Sequence, residues 1–114
     1  MGTLAKWVPS LPAGLSADSM LGLLDARRAI VDRVGAWEEM NGLAQIYDAT
    51  VEQLNEQLAT PEAVSWKGRK WQGQRDREVA RASNCRRLMA QFEMEVVVWY
   101  QRFSELSTAA KSNG

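Results

Sequence analysis

The feature that most limits the possible folds is a seven-residue repeat of apolar residues that occurs twice and is interrupted once. The first run is Leu23, Ile30, Trp37, Ala44, Val51 and Leu58, and the second run is Cys85, Phe92, Trp99 and Leu106. Residues seven apart lie on one face of a helix. Thr60-Pro61 and Trp66-Lys67-Gly68, between the runs, favour a break. We therefore predict an all-α, antiparallel two-helix hairpin, and we expect two hairpins to pair into a four-helix bundle.

Large apolar side chains on and beside the two stripes are the candidates for packing contacts. We predict that helix packing or a partner interface uses Trp37, Met40, Tyr47, Phe92, Val97, Trp99, Tyr100 and Phe103. The run from Val96 to Tyr100 is apolar around the whole helix, so a lone hairpin would leave part of it uncovered. An N-terminal arm carrying Trp7, Val8 and Leu11 would cover it, or a partner chain would.

Capping and helix-breaking residues set the predicted boundaries. Pro9, Pro12 and Gly14 exclude a regular helix near the N-terminus, whereas Ser16 can cap a helix that follows. The predicted elements are an extended N-terminal arm (1–15), helix one (about 16–59), a bend (about 60–69), helix two (about 70–108) and a flexible tail (109–114).

The composition removes most classes of enzyme and metal site. The chain has no histidine and one cysteine, Cys85, which lies on the predicted seam. Histidine is the commonest general base and metal ligand, and one cysteine excludes both an intrachain disulfide and a multi-cysteine metal site. The adjacent Glu38 and Glu39 point to different faces of a helix, and no glycine-rich phosphate loop is present. We predict no catalytic residue, no cofactor and no metal.

Charge is balanced overall but unevenly distributed. Residues 16–62 contain nine acidic and three basic residues, whereas residues 67–87 contain eight basic and two acidic residues. A basic run that includes tryptophan suggests a nucleic-acid surface. In an antiparallel hairpin, however, this run lies against acidic residues of helix one, which are Asp48, Glu52, Glu56 and Glu62. We therefore predict internal pairing of the charges and no nucleic-acid partner.

Hydropathy gives two expectations about membranes and export. No run of about 18 apolar residues is present, so we predict no transmembrane segment. The first residues lack the apolar core of a secretory signal, so export would need a signal-peptide-independent route.

The predicted bend carries a short motif that has a known counterpart. Trp66-Lys67-Gly68 lies between two helices of matched length, and Trp71-Gln72-Gly73 repeats its pattern a few residues later. This arrangement resembles the WxG-motif (Esx-like) family of type VII secretion system proteins. The resemblance covers the bend and the start of helix two. It implies a bend or docking motif formed by Trp66, Gly68, Trp71 and Gly73.

The resemblance also implies partners and a location. It implies a homodimer, or a heterodimer with a related helical hairpin protein, and later contact with a secretion ATPase or a larger toxin. The protein would be secreted, or would stay cytoplasmic if it acts only as a targeting partner. Two features depart from the family pattern: Lys70 or Arg75 stands where a small residue is common, and Tyr100 is followed four positions later by Ser104 rather than by an acid. The export signal is therefore expected on the partner.

Two other functions are compatible with a helical hairpin. One is a structural or assembly protein, such as a phage or virion component. The other, which the charge pairing disfavours, is a helical adaptor that binds nucleic acid.

Overall fold

The computed structural model describes residues 4–113, which contain helices and no β-strand. The elements are a 3-10 helix at Leu4–Trp7, α1 at Ala17–Leu58, a second 3-10 helix at Pro61–Val64, and α2 at Trp66–Asn113. The two long helices pack against each other, so the all-α helical hairpin predicted from the two stripes is confirmed.

The start of α2 differs from the prediction. The helix begins at Trp66 and not near residue 70, so the predicted bend at 60–69 is reduced to the segment 59–65. Ser65 makes the early start possible, because its carbonyl oxygen accepts a hydrogen bond from the Gly68 amide at 3.0 Å. Its hydroxyl oxygen also accepts one from the Lys67 amide at 3.3 Å. The sequence predicts a break at Gly68, whereas this residue lies in the first turn of the helix.

The end of α2 also differs from the prediction. Helix two was expected to end near residue 108, with a flexible tail at 109–114, but α2 continues to Asn113. Ala109 and Ala110 are strong helix formers, and the buried side chain of Ala110 fixes this last part of the helix. Gly114 lies outside the described residues.

One packing unit comprises the residues up to Glu38 together with those from Ala90 onward. Its core contains Leu23, Ala26, Ile30 and Val34 of α1 and Val96 and Phe103 of α2. Beside this core, Arg33 Nε donates to Glu95 Oε1 at 3.2 Å, and Trp37 Nε1 donates to Glu93 Oε1 at 3.1 Å. Residue numbers rise along α1 as they fall along α2, so the helices are antiparallel in this unit.

The N-terminal arm belongs to the same unit. Its partly buried residues Leu4, Trp7, Val8 and Leu15 pack against the core. Trp7 meets Tyr100 edge to face, with ring centroids 5.2 Å apart, and Arg27 Nε donates to the Pro9 carbonyl at 3.0 Å. The arm therefore covers part of the apolar run at Val96–Tyr100.

Two details of the arm correct the prediction. The arm is not extended throughout, because Leu4–Trp7 is a 3-10 helix and the Val8 amide donates to the Ala5 carbonyl at 3.1 Å. The first proline is Pro9, so nothing prevents a turn before it. Leu11, which was expected to cover the hairpin, is itself exposed.

The other packing unit is Glu39–Met89. Its buried residues are smaller and include a carboxylate: Ala44 and Leu54 of α1, and Glu78, Ala82 and Cys85 of α2. Asp48 forms an ion pair with Arg86, and Arg75 donates to Asn55 Oδ1 at 3.4 Å, so the helices are antiparallel here too.

The predicted charge pairing is only partly present. Of the four acids expected to face the basic run, Asp48 pairs with Arg86 and Glu62 pairs with Lys67 at 3.1 Å. Glu52 and Glu56 form no ion pair within residues 4–113. Both residues are exposed, so their carboxylates remain hydrated and need no ion-pair partner.

Candidate docking site at the bend

The first turn of α2 packs directly on the backbone of the preceding 3-10 helix. Gly68 is buried, and a β-carbon added there would overlap the carbonyl oxygen of Ala63. It would also lie 2.5 Å from the Ala63 carbonyl carbon and 2.9 Å from its Cα. The φ angle of Gly68 is not positive, so the lack of space, and not an unusual backbone conformation, requires glycine here.

Two large apolar side chains are exposed beside this close contact. Trp66, the first residue of α2, is 68% exposed, and Val64, the last residue of the 3-10 helix, is 95% exposed. The Trp66 side chain makes no hydrogen bond or aromatic contact with the described residues. Tryptophan is large and stiff and has one N–H donor, which makes it a good anchor for a partner. The packed turn thus presents a largely exposed tryptophan.

The second Trp-x-Gly has a different environment. Trp71 is half-buried, and a β-carbon added at Gly73 would meet open space, since beyond its own stretch of α2 no described residue comes within 4 Å of it. Both residues lie inside α2, within the range predicted for helix two, and not at the bend to which the family resemblance assigns them. Glycine is tolerated in a helix at a cost of about 1 kcal/mol relative to alanine, so Gly73 need not break it. The first motif, Trp66-Lys67-Gly68, forms the first turn of α2, directly after the bend at 59–65.

Basic residues outnumber acidic residues in the first turns of α2, next to Trp66. Lys67 is paired with Glu62, but Arg69, Lys70 and Arg77 are exposed and form no ion pair in the part of the chain that the structure describes. The positive end of the α2 helix dipole adds to this charge. An anionic group near Trp66 would therefore be stabilised.

Comparison with known proteins leaves the geometry of the bend as the main guide to function. No protein family, curated protein or solved structure matches this chain. The resemblance to the WxG-motif family therefore rests on the motif and its position between two helices. Within residues 4–113, no three Cys, Asp or Glu residues converge on a possible metal position. No helix of that part is long and apolar enough to cross a membrane.

The other predicted interface residues divide into three groups by burial. Trp37 and Phe103 are buried between α1 and α2. Those that are half-buried along the seam are Met40, Tyr47, Phe92 and Trp99. Val97 and Tyr100 are exposed, although the Tyr100 ring contacts Trp7 of the arm. Most of this set therefore serves the packing of the hairpin itself.

Sequence reasoning missed two residues of the site. Val64 received no role, although an apolar residue between Pro61 and a capping serine is a signal that the bend is not simply a polar loop. Ala63 carries no side-chain signal at all, since its contribution is the backbone that Gly68 packs against.

Proposed function

We propose that this chain is a non-catalytic small helical protein of a type VII secretion system. It acts as a secreted substrate, or as a cytoplasmic targeting partner for another substrate, through dimerisation. The observation that carries the proposal is the bend, where Gly68 packs on the Ala63 backbone and Trp66 is exposed two residues earlier. These two roles support the Trp-x-Gly resemblance in physical terms: the glycine allows the close packing of the turn, and the tryptophan is available to a partner.

The exposure of Trp66 supports a docking role for the bend. Burial of apolar surface stabilises a complex by roughly 25 cal/mol per Å². A partner that covers the exposed Trp66 side chain would therefore gain binding free energy. The turn around Trp66 is already ordered in the free chain by the Gly68 contact. Docking on an ordered turn loses less conformational entropy than docking on a flexible loop. A component of the secretion machinery, such as its ATPase, or a larger toxin would dock here.

Exposed apolar residues on α1 support pairing with a second hairpin. Leu21, Leu24 and Val31 are exposed, and their spacing places them on one face of the helix. Gly35 continues this face, and a β-carbon added there would meet no other part of the described residues 4–113 within 4 Å beyond its own stretch of helix. A second helix would bury these side chains and approach closely at the glycine. We propose the same chain or a related hairpin protein as this partner.

Light scattering of the purified full-length chain, alone and mixed with the product of the adjacent gene, tests the pairing. The chain has a mass of 12.8 kDa, and we expect roughly twice that mass for the chain alone or for a one-to-one complex. Leu24→Glu should return the chain to the monomer mass, because it places a charge in the proposed interface.

Leu11→Glu is the matched control, since Leu11 (37% exposed) and Leu24 (42% exposed) are similarly exposed and Leu11 lies on the arm. It should leave the pairing unchanged. A monomer mass in every mixture, or equal loss of pairing in both variants, would contradict the proposed dimer.

A further inference from the structure

We infer that the bend docks an acidic amphipathic helix of a partner protein, which lies along α2 across Trp66, Lys70 and Arg77. The inference rests on the proposed function, in which the bend is a docking surface, and adds the chemical character of the partner.

The basic residues of 67–87 divide into those that contact an acidic or amide side chain and those that do not. Five of them contact an acid or amide side chain, in the pairs Lys67–Glu62, Arg75–Asp76, Arg81–Glu78, Arg86–Asp48 and Arg87–Asn84. Within the described residues, Arg69, Lys70 and Arg77 have no such partner. The free cations are thus not spread over the whole basic run, and Lys70 and Arg77 share a helix face with the exposed Trp66.

The spacing along α2 defines an elongated strip. Trp66, Lys70, Gly73 and Arg77 follow one another in steps of four, three and four residues, which places them on one face of the helix. At a rise of 1.5 Å per residue, Trp66 and Arg77 are about 16 Å apart along the axis, and Lys70 and Arg77 about 10 Å. Gly73, between the two cations, has open space around it. A partner backbone can therefore approach closely in the middle of the strip.

The strip specifies the pattern of its ligand. An apolar side chain would pack on Trp66, and two carboxylates seven residues apart on a helix would reach Lys70 and Arg77. The apolar residue would precede or follow the nearer acid by four residues, depending on the direction of the partner helix. The length of the strip favours a helix, because a single anion would occupy only one end of it.

Two other anionic partners fit the strip less well. A flat membrane that touched the tip at Val64 and Trp66 would leave Arg77 about 16 Å away along the helix. A polynucleotide would be attracted by net positive charge, whereas this chain carries 14 basic and 14 acidic residues and a formal net charge of zero. Both are included below as outcomes of the test.

Fluorescence anisotropy with a labelled helical peptide tests the inference on the full chain. The peptide carries one leucine and two glutamates at the four- and seven-residue steps of the strip, and a control peptide of equal composition carries the glutamates on the opposite face. We expect the matched peptide to bind, and Lys70→Glu or Arg77→Glu to weaken binding by about tenfold each. Arg87→Glu, on the same helix but at a residue bonded to Asn84, should leave the affinity unchanged.

Equal binding of both peptides, or equal effects of Arg77→Glu and Arg87→Glu, would overturn the inference. Tighter binding of anionic lipid vesicles or of oligo-dT than of the matched peptide would overturn it in favour of that partner. If no peptide binds but Trp66→Ala still abolishes export, only the acidic partner is wrong and the docking surface stands. If Trp66→Ala leaves export unchanged, the proposed function fails whatever the peptide does.

Discussion

Replacing Gly68 by alanine should lower the free energy of unfolding by about 2–3 kcal/mol. The new methyl group would overlap the Ala63 carbonyl oxygen, and a backbone atom cannot move aside as a flexible side chain can. The first turn of α2 and the 3-10 helix would have to separate, and the hydrogen bond from the Gly68 amide to Ser65 would weaken. Urea unfolding followed by circular dichroism measures the change.

Gly73→Ala is the matched control for this variant. Gly73 lies in the same helix but meets nothing within 4 Å, so alanine should raise the free energy of unfolding by about 1 kcal/mol. The two substitutions are chemically identical, so a difference in sign isolates the contact with Ala63. If both variants were stabilised equally, the turn would not be packed as described.

Replacing Trp37 by alanine should lower the free energy of unfolding by about 3–5 kcal/mol. Trp37 is 5% exposed, and its indole nitrogen donates to Glu93 at 3.1 Å across the two helices. The substitution would leave a cavity between α1 and α2 and remove this interhelical hydrogen bond. Thermal and urea unfolding of the variant would both report the loss.

The same substitution at Trp66 should change the free energy of unfolding by no more than about 0.5 kcal/mol, because the Trp66 side chain is 68% exposed. Comparison of Trp37→Ala with Trp66→Ala therefore distinguishes a tryptophan that stabilises the fold from one that is available to a partner. A loss at Trp66 as large as that at Trp37 would place Trp66 in the core and remove it from the docking site.

The hairpin could be predicted from the sequence because the pattern that specifies each helix, an apolar residue at every seventh position, is local and repeated. A helix has a fixed period, so an apolar residue at every seventh position marks the buried face, and Leu23 and Ile30 are fully buried as their positions indicate. The arm was harder to place in detail. Its contact between Trp7 and Tyr100 joins residues far apart in the chain, and their spacing carries no signal for it.

The geometry of the bend could be predicted only in part. The Trp-x-Gly motif predicted where the bend lies. A glycine in a sequence, however, is equally compatible with a helix break, with a close approach of another backbone, or with a helix position that tolerates glycine. Gly68 is a close approach and Gly73 is tolerated, and the difference lies in the Ala63 backbone rather than in either motif. Which cations remain free was likewise not predictable, because it depends on which side chains reach one another.

We propose that Trp66 serves docking and not folding, and an export assay tests this proposal most directly. The amounts of this chain and of its dimer partner in the culture filtrate would be compared for the wild type and for Trp66→Ala, in the organism that makes the protein. Helicity and pairing of the purified variant would be measured in parallel. We predict that Trp66→Ala keeps its helicity and its partner while both proteins stay inside the cell. Undiminished export of both proteins by the Trp66→Ala strain would contradict the account.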